Sequence, residues 1–137
     1  MQTATISTAK RSDKIIYWIF TSIIVLFDSV MPAFTFNTQL AKDGISHLGY
    51  PDYFRIELSI FKILGGIVLI FPFIPKRLKE WAYFGFALDF LSAFIGHTVV
   101  DGINGESIFP LVMLIFLIIS YVYYHKINKN FIDRRIQ

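Results

Sequence analysis

Residues 53–74 read YFRIELSIFKILGGIVLIFPFI, an apolar run of membrane-spanning length with Lys62 near its middle. About 20 such residues cross ~30 Å of hydrocarbon at 1.5 Å per residue. A charge held there costs at least ~2.5–3.5 kcal/mol, so it is expected to face a polar partner rather than lipid. Two other apolar stretches supply candidates of opposite sign. Asp28 lies within residues 15–36 and Asp89 within residues 81–100. A fourth stretch, residues 108–124, carries no charge.

Four spans are therefore expected, over residues 15–36, 53–74, 81–100 and 108–124. Pro32 should kink the first, because it removes a backbone donor and clashes one turn back. Pro72 and Pro75 close the second. Counting from the ends facing one side of the bilayer, Asp28, Lys62 and Asp89 lie at depths of about 12, 14 and 16 Å. That agreement predicts one intramembrane polar site. One lysine balances only one carboxylate, so the site is charge-asymmetric as written. Gly65, Gly66, Ser92, Ala93 and Gly96 would let the helices approach closely. A buried ion pair that only fixes packing explains the three residues as well as a ligand pocket does.

The composition agrees. Of 137 residues, 55% are hydrophobic and 17% charged, too apolar for an ordinary soluble domain of one-domain length. The formal charge of +3 suggests an acidic partner until the positions are considered. Lys10, Arg11 and Lys14 precede the first span, and Lys76, Arg77 and Lys79 join the second and third. Lys126, Lys129, Arg134 and Arg135 follow the fourth. This is the positive-inside pattern, which places both termini in the cytoplasm. It is not a nucleic-acid groove. Tyr17, Trp18, Trp81, Tyr83, Tyr121, Tyr123 and Tyr124 would form an inner aromatic belt, Tyr50 and Tyr53 an outer one. Residues 1–14 read as a disordered tail and 126–137 as a basic tail.

The outer side carries the remaining polar chemistry. Arg55, Glu57, His97 and Asp101 are candidates for its mouth. Arg55 and Glu57 also fit simple headgroup positions. His97 and Asp101 are four apart, which permits a hydrogen bond across one turn and hence proton relay or ligand orientation. With only His47 and His97 on that side, no metal site is expected. Between the first two spans, Leu40, Ile45 and Leu48 fit one face of a short amphipathic helix over residues 38–47, whereas Gly44 and Gly49 fit a coil. The absence of cysteine excludes thiol exchange, iron–sulfur clusters and Cys-ligated metal. No nucleophile elbow, phosphate loop or triad is present, so no independent catalytic activity is expected.

The run His47-Leu48-Gly49-Tyr50-Pro51, Lys62 with its following glycines, Lys79-Glu80-Trp81-Ala82-Tyr83, and His97 with Asp101 resemble the DoxX-like family of small bacterial membrane proteins. The resemblance covers about residues 15–125. Gly96 stands where an alanine would be expected. The resemblance implies an all-α, four-helix transmembrane bundle. The family name derives from a subunit linked to a quinone-coupled oxidoreductase, which makes a quinone the implied cofactor. Related redox proteins depend on paired cysteines, which this chain lacks, and another relative is a receptor-assembly chaperone. Three functions follow as expectations. The first is binding of a quinone-type or other lipophilic molecule at Asp28, Lys62 and Asp89 in a redox-associated subunit. The second is an accessory or assembly factor for another membrane protein, and the third is a small proton-linked transporter; a membrane-protein partner or a homo-oligomer is the expected association.

Overall fold

A computed structural model describes the backbone of residues 2–136 and the side chains of residues 11–128. The described residues are helical throughout, with no strand among them. Helix α1 spans Gln2–Val25, widens into a π-helical segment at Leu26–Val30 and continues as Met31–Thr35. Then follow α2 (Gln39–His47), α3 (Asp52–Ile70), α4 (Lys76–Asp101) and α5 (Gly105–Ile136).

Among the described residues, three stretches are long and apolar enough to cross a membrane: Arg11–Thr35, Lys76–Asp101 and Gly105–Asn128. Helix α3, expected as a further span, has 19 residues and stands apart because Arg55, Glu57 and Lys62 interrupt its apolar run. It also stops at Ile70 rather than Ile74. Phe71 turns to extended backbone with ψ 121°, ahead of Pro72. Helix α4 begins five residues earlier than expected, directly after Pro75. Residues 76–80, expected as a loop, thus form the first turn of α4. Lys79 is buried there and donates to the carbonyl of Leu69 at 3.4 Å, capping the end of α3.

Residues 11–14 are also helical rather than part of a disordered tail. Asp13 is buried, with Lys126 of α5 at 3.5 Å. The side chains of residues 1–10 and 129–137, which hold the rest of both expected tails, lie outside the described residues.

Helix α5 packs along α1 on one side and α4 on the other; α3 packs on α4 and closes the ring against the π segment and α1. Ile24, Leu69, Phe86, Phe90, Met113 and Leu117 form the apolar centre. Large apolar side chains such as Phe61, Phe84, Leu88, Ile115 and Ile118 are exposed on the outside, the arrangement suited to lipid as solvent. The expected inner belt divides in two. Trp18 and Trp81 face outward, whereas Tyr17, Tyr83 and Tyr124 are buried and stack on one another with centroids 5.7–6.1 Å apart. A hydroxyl partner accompanies the burial of Tyr83: it and Thr21 both bond Ser120 Oγ, at 2.7 and 2.6 Å.

Helix α2 forms over the stretch where helix and coil were both open. Thr38 supplies its N-cap, accepting from the amide of Ala41 at 3.3 Å, and Gly44 does not interrupt it. The positive φ of 87° is taken up by Gly49, just past the helix end.

Candidate functional site

The π segment sets the position of Asp28. Pro32 lacks the amide that would bond the Asp28 carbonyl in an α-helix, and its ring would crowd that oxygen. The chain responds by widening, with Met31 N–H donating to the carbonyl of Leu26, five residues back. Such π-bulges occur often at functional sites, because they re-aim side chains without ending the helix. Here Asp28 and Ser29 are both buried and directed at α3.

Lys62 comes to meet them. Its Nζ donates to Asp28 Oδ1 at 2.8 Å and lies 3.0 Å from Asp89 Oδ2 on α4. Three ionisable side chains from three helices thus share one point, each less than a fifth exposed. Close approach of α1 and α3 makes this possible. Ser29 Oγ donates to the backbone carbonyl of Lys62 at 2.7 Å, and a Cβ on Gly66 would collide with the Ser29 side chain. Gly65 plays the same part toward α4, where a Cβ would fall 2.9 Å from the Phe86 ring.

Beside this triad a cavity of about 560 Å³ runs between α3 and α4. Lys62 and Asp89 line it as its polar end. Phe54, Phe61, Trp81 and Phe86 give it aromatic walls, and Gly85 leaves part of the α4 side bare. An apolar cleft with a few convergent polar groups is the usual form of a small-molecule site. An ammonium has three donors, and one is bonded to Asp28 while Asp89 balances the charge at 3.0 Å, which leaves donor capacity for an incoming acceptor.

The four residues expected at the outer mouth do not form one group. Arg55 is buried rather than set in headgroups. It donates to Asp52 Oδ1 at 3.0 Å and to the carbonyl of Phe36, tying the start of α3 to the end of the first helix. That hydrogen bond holds the Asp52 carboxyl below its usual range. Glu57 is exposed and, among the described residues, joins no ion pair. His97 Nδ1 stands 3.8 Å from Asp101 Oδ2, beyond hydrogen-bond reach, so the expected bond across one turn is not made. Asp101 instead meets His47 of α2, with Nε2 and Oδ1 2.6 Å apart. Glu106 joins from α5, its Oε2 3.9 Å from His97 Nδ1.

At the other end of the helices, Glu80 lies 2.6 Å from His125 Nε2 and accepts from Tyr121 at 2.9 Å. The grouping of Glu80 with Tyr121 and His125 was not read from the sequence, nor was Glu106 placed beside His97. For Glu106 a signal exists. Asn104 Oδ1 accepts from the amides of Glu106 and Ser107, and Ser107 Oγ accepts from the amide of Asn104. The pair Asn104 and Ser107 is therefore a capping pattern that starts α5 before residue 108.

Comparison with curated proteins and with solved structures gives no match. The model of the DoxX-like family matches residues 16–120, which takes in the triad, the cavity and both histidines near Asp101. With three helices among the described residues apolar enough to cross a membrane and a family match over most of its length, this chain is a membrane protein belonging to the DoxX-like family.

Proposed function

We propose that the protein is a four-span inner-membrane protein that binds a quinone-type or similarly lipophilic carbonyl compound between α3 and α4. Both termini lie in the cytoplasm. The observation that carries this reading is Lys62, held between two carboxylates at the polar end of an otherwise aromatic and aliphatic cavity. Asp28 and Asp89 fix the ammonium in place. An unused N–H donates to a ligand carbonyl, and the rings of Phe61, Trp81 and Phe86 cover the apolar body. The fourth span is α3: its polar residues Asp52, Arg55 and Glu57 gather at its start, and the one charge near its middle, Lys62, is neutralised from α1 and α4. The protein itself acts as a binding subunit for a redox partner, holding the ligand without transforming it.

The test is mass spectrometry of small molecules extracted from protein purified in native lipid particles. A lipophilic carbonyl compound should accompany the wild-type protein at near-stoichiometric amounts. Lys62→Met should lose it. Gly85→Leu provides the folded control, since a Cβ at Gly85 meets no atom within 4 Å and the leucine would extend into the cavity while leaving all three charged residues in place. It should lose the compound while keeping wild-type thermal stability. A wild-type extract no richer in such compounds than that of an unrelated membrane protein would overturn the reading.

A further inference from the structure

We infer that the junction of α2, α4 and α5 is a binding site for a zinc-class divalent cation, held by His97, Asp101 and Glu106 and braced by His47. The inference is independent of the ligand cavity. Asp101 lies twelve residues beyond Asp89 on α4, about 18 Å along the helix axis.

The turn between α4 and α5 creates the site. Gly102, with φ 78°, reverses the chain in a conformation that disfavours a side chain. Asn104 and Ser107 then lock the first turn of α5 by reciprocal hydrogen bonds. Glu106 is thereby placed across from the last turn of α4. His97 Nδ1, one Asp101 oxygen and one Glu106 oxygen all lie within 4.8 Å of one another.

The donors are arranged for a cation rather than for each other. His97 Nδ1 is buried and makes no hydrogen bond, although carboxylate oxygens stand 3.8 and 3.9 Å away on two sides. For bonds of about 2.1 Å in tetrahedral geometry, ligand atoms lie ~3.4 Å apart, so the two carboxylate oxygens would each approach His97 Nδ1 by roughly half an ångström. Glu106 is mostly exposed and can make that adjustment. Asp101 needs only one oxygen for a metal, because the other is bonded to His47 Nε2 at 2.6 Å. An outer imidazole that orients a ligating carboxylate is the kind of support metal centres use.

The donor set selects the ion. Calcium and magnesium prefer oxygen alone, whereas an imidazole nitrogen with two carboxylates suits zinc and its neighbours in the first transition row. Three protein ligands leave a fourth position to water. Counting histidines alone under-supplied this site; Asp101 and Glu106 complete it from two different helices.

The experiment titrates zinc ion into tag-free, full-length protein in detergent, read by calorimetry and by competition with a chromophoric chelator. Thermal unfolding is followed with and without metal. Wild-type protein should bind one zinc per chain and unfold at a higher temperature with it. Cobalt substituted for zinc should show the intense visible bands of a low-coordinate site. His97→Ala and Glu106→Gln should each weaken binding by roughly tenfold or more, and His47→Gln by about 10–100-fold. Asp43→Asn, an exposed carboxylate change on α2, should leave it unaltered. Glu106→Gln alters an exposed side chain, so it reports on binding even where His97→Ala unfolds. Wild-type protein that holds no zinc, or binding that survives Glu106→Gln at full strength, overturns the inference.

Discussion

Pro32 stands four residues after Asp28, and the helix between them is wound as π rather than α. The two facts are one. The proline has no amide for the Asp28 carbonyl, and the wider turn carries the Asp28 side chain round to Lys62.

Replacing this proline should therefore act against the usual rule. In an ordinary helix interior, proline is less favourable than alanine by about 3 kcal/mol, so Pro32→Ala would stabilise. Here a restored amide draws the segment toward α winding and turns Asp28 off Lys62. Losing a charge-assisted hydrogen bond, worth about 1.5–3 kcal/mol, offsets that gain, so the expected outcome is a Pro32→Ala variant no more stable than wild type. Thermal unfolding in detergent, followed by circular dichroism, checks the sign. A stabilised Pro32→Ala variant would refute the link.

Removing the central cation should cost more than removing one anion. Lys62→Met leaves Asp28 and Asp89 facing each other, and breaking a buried pair this way costs roughly 3–5 kcal/mol. Asp89→Asn keeps the Lys62–Asp28 pair and should cost less. In Lys62→Met with Asp28→Asn, much of the loss should return. Measured unfolding free energies of the three variants decide whether the triad behaves as a coupled unit.

The contact between α1 and α3 predicts a specific rescue. Gly66→Ala forces a methyl into Ser29 and should destabilise by about 1–3 kcal/mol. Ser29→Gly on the same background makes room and should recover part of that loss. Recovery absent from the double variant would mean that the two helices do not meet as described.

Much of this was legible in residue spacing. Lys62 inside an apolar run, with Asp28 and Asp89 at matching depth, located the polar point, because helical rise converts sequence distance into depth directly. Other features depend on contacts that periodicity does not encode. The π winding follows from Pro32, yet a kink and a widened turn look identical in sequence. The burial of Arg55 comes from the Phe36 carbonyl, which lies 19 positions away. His47 and Asp101 are 54 positions apart and meet only because α2 folds back over the end of α4. Tyr17, Tyr83 and Tyr124 suited an interfacial belt by composition, yet they pack ring against ring inside the bundle, with the Tyr83 hydroxyl bonded to Ser120.

Topology is open to a direct check. Reporter fusions after residue 137 should fluoresce when the reporter is one that folds only in the cytoplasm. Alkaline phosphatase inserted at Gly44 should be active, since it requires the opposite compartment. The inverse pattern would reverse the orientation read from the basic residues.

The brevity and charge of α3 carry a consequence for biogenesis. At 19 residues it is about 28 Å long, and its lysine would meet hydrocarbon unshielded if the segment left the translocon alone. Its counter-ions belong to one helix synthesised earlier and one synthesised later. As the fourth span proposed above, it would need the first helix close at hand, so that Asp28 is waiting when Lys62 emerges, and its partition into lipid would be a joint event.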